Sequence, residues 1–183
     1  MSGDRSDLDD KRLISLATQG DRLAFGILYE RYVNEIYRYA FYRLGNQHDA
    51  EDITANAFIK TWEYLPKIYH KDDSIRNFRN WLYRVTKNLI VDYYRSNKTV
   101  SLENGVHGDD DPSNNDAEQD FQSRHLAKAI MQLKPDYQQI IILRFINQLS
   151  HKEIATIMEL STGQTRVLQY RALKKLREII SDE

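Results

Sequence analysis

Ser150 to Glu153 and Ser161 to Gln164 both fit S-x-x-[E/Q], in which a hydroxyl bonds a free backbone N–H and the later side chain reaches back to the cap. Two helix starts eleven residues apart leave room only for a short first helix, about Ser150 to Met158, and a second that begins almost at once. The spacing predicts a helix-turn-helix. At 100° per residue, Thr165, Leu168, Ala172, Leu176 and Ile179 share the inner side of the second helix. Arg166, Val167, Tyr170, Arg171, Lys174 and Arg177 lie on the outer side. Ser161 to Arg177 holds five basic residues, Lys175 among them, and no acid. Such a face suits a major groove, because arginine forks onto guanine or phosphate and Val167 can meet a thymine methyl. A solvated helix face is the plain alternative, and the paired capping boxes favour DNA over it.

The rest of the 183-residue chain reads as helical, an all-α fold of two small domains. Its net charge of -1 is a cancellation. Residues 99 to 123 carry seven acids and no Lys or Arg, and without them 26 basic residues face 20 acidic ones. The expected organisation is a helical domain over 11–96, an acidic flexible linker over 97–122, too polar to pack, and a helix-turn-helix domain over 123–183. With no cysteine there is neither a disulfide framework nor a thiolate metal site. The five histidines show no ligand spacing and the seven glycines form no phosphate-cradling loop. No metal site, cofactor or catalytic group is expected. No long apolar run or signal-peptide pattern is present, so a cytoplasmic protein without membrane insertion is expected.

In the first domain, helical pattern starts near Asp10, halts at Gly20, and resumes from Asp21 as an aromatic-rich core helix ending at Gly45. A third helix follows NQHDAED and is expected to stop at Pro66. Asp49, Glu51 and Asp52 suit a first helical turn. The dipole fades after one turn, yet Asp52, Asn56, Ile59 and Glu63 continue the stripe at helical spacing, which suits a basic protein partner. The loop Pro66 to Arg76 offers Tyr69 and His70 for stacking. In NFRNWLYRVTKNLIVDYYR, Phe78, Trp81, Leu82, Val85, Leu89 and Tyr93 form the buried face. Asn80, Tyr83, Arg84, Lys87, Val91 and Tyr94 run along the opposite face, with Asn88 and Arg95 at its edge. Aromatics interleaved with cations and amides suit single-stranded nucleic acid. Asp92 falls on the apolar side, where a carboxylate needs a nearby Arg or Lys.

Taken in order, these segments resemble the sigma subunits of bacterial RNA polymerase, specifically the two-domain extracytoplasmic-function group. GDRLAFGILYERYVNEIYRYA resembles the start of that family's promoter-melting domain and DAEDITANAFIKTW its polymerase-binding segment. FRNWLYRVTKNLIVDYYR resembles its -10 element helix. LKPDYQQIIILRFINQLSHKEIATIM with STGQTRVLQYRALKKLR resembles its -35 element domain. The resemblance implies that Asp49, Glu51, Asp52 and Asn56 face core RNA polymerase. It implies that Asn80, Arg84, Lys87, Asn88 and Arg95, with the Lys67 to Asn77 loop, hold the -10 strand. Arg166, Val167, Tyr170 and Arg171 would read the -35 duplex, with Lys174 and Lys175 on phosphates.

The implied protein is a sigma factor that brings core polymerase to promoter DNA and promotes strand opening. It would be monomeric when free, need no cofactor, and be restrained by an anti-sigma protein. Three positions depart from the family pattern: Asn56 for Gln, Glu159 at a turn position where Gly is frequent, and Val167-Leu168-Gln169 for Ser-Arg-Leu. The alternatives are a dimeric helix-turn-helix regulator on a palindromic site, and a protein-only adaptor with no sequence preference in DNA.

Overall fold

The computed structural model describes residues 7–68, 77–100 and 117–181, all helix and short connections. Helices α1 (Asp10–Thr18), α2 (Arg22–Leu44), α3 (Gln47–Ile68) and α4 (Phe78–Val100) make the first half. The second half is built from α5 (Ala117–Met131), α6 (Pro135–Ile141), a π-helical turn over Ile142–Ile146, α7 (His151–Met158) and α8 (Thr162–Ser181).

Most helix starts are set by a short polar side chain satisfying free N–H groups. Asp9 caps Arg12 N at 2.8 Å, and Asp21 caps Leu23 and Ala24 at 3.1 Å. Asn46 and Asp49 cap reciprocally at 2.8 and 2.6 Å, and Asn77 receives Asn80 N at 3.1 Å. Both capping boxes expected in the helix-turn-helix form. Glu153 accepts from Ser150 N at 2.8 Å, and Gln164 accepts from Ser161 N at 2.7 Å. Helix α2 ends where Gly45 turns left-handed at φ 78° and returns its N–H to Phe41 O at 2.7 Å. A side chain there would also collide with Met131 Sδ, since an added Cβ would sit 2.3 Å away. Gly45 thus ends α2 as a left-handed cap.

Leu13, Leu28, Ile36, Phe58, Phe78 and Leu82 are buried in the first half, and Ile130, Ile140, Leu143, Ile154, Ala172 and Leu176 in the second. Full burial of each large aliphatic or aromatic side chain favours folding by roughly 1.5 to 3 kcal/mol. These side chains form one continuous core, because the halves pack against each other. The π-helical turn, whose wide ring brings Asn147 N to Ile142 O at 2.9 Å, aims the Asn147 side chain at α2.

Four sequence expectations change. Helix α3 runs through Pro66 to Ile68, since a proline so near the end removes only the bond to the Trp62 carbonyl. Asp92 is exposed rather than set in the apolar side, 3.6 Å from Arg95. Tyr83 and Asn80, expected on an open face, are buried. Tyr83 packs on Tyr39 and bonds Glu35 of α2 and Asn147 of the second half, contacts that helical periodicity alone cannot foresee. The segment expected as a linker over 97–122 is helical at both ends, where α4 continues to Val100 and α5 begins at Ala117; its middle, 101–116, and the loop residues 69–76, Tyr69 and His70 among them, lie outside the described residues.

At the helix-turn-helix corner Glu159 adopts φ 58°, ψ 41°. A side-chain-bearing residue pays a steric penalty in that region that glycine avoids. Glu159→Gly is expected to raise stability by about 0.5 to 1 kcal/mol, read as a higher urea midpoint with unchanged slope.

Candidate nucleic-acid and protein interfaces

Helix α8 is seated by Thr165, Ala172 and Leu176, which are buried, and stands clear of the body on its opposite side. Arg166, Arg171, Lys174 and Lys175 are exposed there. Val167 and Tyr170 project with 51% and 71% of their surface open. On this surface Lys175 bonds an acidic neighbour, Glu178, at 3.0 Å. Gln169, at the border of the core, bonds His151 at 2.7 Å and so fixes α8 against α7. A rigid helix with exposed cations, an aromatic and a branched aliphatic can enter a groove and meet both phosphates and base edges.

Helix α3 carries the acidic stripe on open surface: Glu51, Asp52, Asn56 and Ile59 are exposed, Ile59 to 54%. Asp49 differs from the rest of the stripe. Its carboxylate accepts from the Asn46 amide at 2.6 Å and from the Tyr93 hydroxyl, so it caps α3 and ties it to α4. Glu51 accepts from Gln47 at 2.8 Å, and Asp52 lies 3.6 Å from His48. The free surface is therefore a short stripe of carboxylates and an amide around one apolar residue.

The outer face of α4 is divided. Asn88 and Arg95 are exposed, Arg84 and Lys87 are half-buried, and Asn80 is only 5% exposed. Beside them runs a network that the sequence reading did not single out. Arg79 grips Glu35 with two bonds, at 2.6 and 2.9 Å, and reaches Glu153 of α7 at 2.9 Å with a third. Tyr83 donates to the same Glu35 carboxylate at 2.6 Å. Asn147 donates both to the Tyr83 hydroxyl and to the Glu35 carbonyl, the latter at 3.1 Å. Burial, reinforced by the Glu35 charge, pushes the Tyr83 hydroxyl far above its usual pKa and keeps it a donor. One signal was available. Glu35 shares one side of α2 with Tyr32 and Tyr39, next to Ile36, where a carboxylate demands partners. Further along α4, Lys87 joins Gln139, Val167, Leu168 and Arg171 around a cleft of about 580 Å³.

Among the described residues no helix is long and apolar enough to cross a membrane, and no His, Cys, Asp and Glu group is arranged to hold a metal ion.

Residues 28–100 match the family model for Sigma-70 region 2, and residues 123–176 match that for Sigma-70, region 4. The chain is 30% identical to the ECF RNA polymerase sigma factor BldN of Streptomyces coelicolor, over 97% of this chain and 69% of that one. It is also 30% identical to the ECF RNA polymerase sigma factor SigW of Bacillus subtilis, covering 94% of this chain and 97% of the relative. The fold is similar to that of CnrH, solved in complex with the cytosolic domain of CnrY. That likeness has a TM-score of 0.74 and 23% identity, over 95% of this chain and 98% of the other.

Burial alone would raise the pKa of Glu153, but the Ser150 hydrogen bonds and the Arg79 charge outweigh it and hold the carboxyl below its ordinary 4.5. A lowered folded-state pKa stabilises fully above the unfolded value, and that stability is lost as pH falls through the folded one. The urea midpoint of the parent should therefore exceed that of Glu153→Gln most clearly above pH 4.5. The gap should close as the solution is acidified below that point, since the glutamine carries no titrating group.

Proposed function

The chain belongs to the extracytoplasmic-function group of RNA polymerase sigma factors, and on that premise we propose how its surfaces divide the work of promoter recognition. Residues 11–96 form the domain that binds core polymerase and the -10 element, 97–122 the linker, and 123–183 the domain that reads the -35 element. Glu51, Asp52 and Asn56 dock on core polymerase, with Asp49 at the inner edge of the same stripe. Arg166, Val167, Tyr170 and Arg171 enter the -35 major groove while Lys174 and Lys175 follow its phosphates. Asn80, Arg84, Lys87, Asn88 and Arg95 hold the separated -10 strand. The observation that carries this reading is the pairing of two open surfaces of opposite chemistry: an acidic stripe on α3 and an acid-free face from Arg166 to Arg177 on α8.

Core polymerase supplies the chemistry of nucleotide addition, and this chain supplies selection. A melted -10 strand offers stacking and phosphate contacts that a duplex cannot, so binding it shifts the closed-to-open equilibrium toward the open complex. The free protein is a cytoplasmic monomer without cofactor. The sigma factor RpoE from Bartonella quintana was solved in complex with the anti-sigma factor NepR, and an anti-sigma protein is the partner expected to hold this chain inactive.

Transcription in vitro from a genomic fragment pool, with core polymerase and with or without the chain, tests the reading. New start sites sharing two motifs at fixed spacing are expected. Starts that never depend on the chain, together with unaided binding to a duplex site, would overturn it in favour of a regulator. In the same assay Asp52→Arg should abolish chain-dependent starts by blocking polymerase binding, without unfolding, because Asp52 is solvent-exposed. Arg171→Ala should lose about 1 to 3 kcal/mol of discrimination at one -35 position if it forks onto a base. Equal loss on every sequence would make it a phosphate anchor.

A further inference from the structure

Helices α7 and α8 meet at a corner whose geometry decides what α8 can read. The chain turns there through Glu159, at φ 58°, and Leu160, and α8 starts behind the Ser161 cap. Ile154 and Ile157 of α7 and Thr165, Ala172 and Leu176 of α8 are buried. Apolar burial is non-directional, so it holds two helices together without choosing their relative rotation closely.

A directional contact joins the same helices away from the corner. His151 Nε2 donates to Gln169 Oε1 at 2.7 Å, and both side chains are half-buried. His151 is the first residue of α7, eight positions before Glu159, and Gln169 lies eight positions after Ser161. At 1.5 Å per residue each partner stands about 12 Å from the corner. A bond that far out closes a triangle whose other two sides are rigid helices. Without it, both the angle at the corner and the roll of α8 about its own axis are less tightly defined. Gln169 follows Arg166 by three positions and immediately precedes Tyr170 and Arg171, so any change in its seat displaces all three. A forked base contact tolerates little displacement, because a hydrogen bond fades beyond about 3.2 Å or below about 120°. A lysine on a phosphate, with its flexible stem, tolerates more.

We propose that the His151–Gln169 bond is a positioning contact that sets the roll of α8 and thereby decides which bases of the -35 element the chain prefers, without itself touching DNA. The inference rests on the reading of α8 as the -35 helix. Arg166, Val167, Tyr170 and Arg171 make the contacts; His151 and Gln169 aim them.

The test uses holoenzyme assembled from core polymerase and the full-length chain, on templates that carry one mapped chain-dependent promoter with its -35 element randomised and a barcode in the transcript. Gln169→Leu removes the acceptor and His151→Phe the donor, each with a side chain of similar size, and at half-buried positions neither should lower the urea midpoint. Each should nonetheless reduce the preference for the best base roughly threefold to tenfold at two or more -35 positions. The double variant should lose no more than the worse single, because all three lack the same bond. Gln169→Glu keeps an acceptor for His151 and should retain the parent's base preferences, with its added charge lowering output evenly across sequences. Unchanged preferences in both singles, losses that add in the double variant, or a flattening that appears only with a lowered midpoint would overturn the positioning role and leave the sigma reading standing. A parent chain that directs no start site would overturn both.

Discussion

A carboxylate in the apolar middle of a helix is the constraint on which the arrangement depends. Glu35 has only 13% of its side chain exposed, and an unpaired carboxylate so placed would cost several kcal/mol. It is tolerable only because Arg79 meets it with two parallel bonds and Tyr83 with a third. That requirement orients α2 and α4. For Arg79 and Tyr83, four residues apart and so one turn apart along α4, to reach the same carboxylate, α4 must present that particular side to α2. The rest of α4 is then fixed: Phe78 and Leu82 enter the core, while Asn88 and Arg95 remain outside. Buried ion pairs are poor sources of net stability. The contribution here is directional, selecting one rotation of α4 among several that would bury similar apolar area.

From that fixed orientation the three surfaces follow. The acidic stripe of α3 points away from α4 because Asp49, at its inner edge, is tied to Tyr93. The reading face of α8 points away because Thr165, Ala172 and Leu176 must be buried on the other side. Both faces are solvent-exposed, although Val167 and Arg171 also line the cleft that Lys87 of α4 borders. The α4 face does not share that exposure. It lies on the side to which Arg79 and Tyr83 belong, where α7 and the turn at Asn147 also dock. A single helix rotation thus sets the Glu35 pair and the covering of Asn80 together.

Local signals told most of the helical framework in advance, and their success has a physical basis. A capping box is a closed exchange of bonds within four residues, so Ser150–Glu153 and Ser161–Gln164 form as read, and with them the corner and the outward side of α8. The unusual Glu159 is tolerated because its backbone N–H still returns to Ala155 O, ending α7 as glycine would. Pro66 misled because a proline's effect depends on how many bonds remain beyond it. The covered state of Asn80 and Tyr83 was not legible at all. Periodicity says which residues share a side of α4, and says nothing of whether water or another part of the chain covers that side. Glu35 and Glu153 lie 118 positions apart in sequence, yet Arg79 joins them, and no local pattern encodes such a meeting.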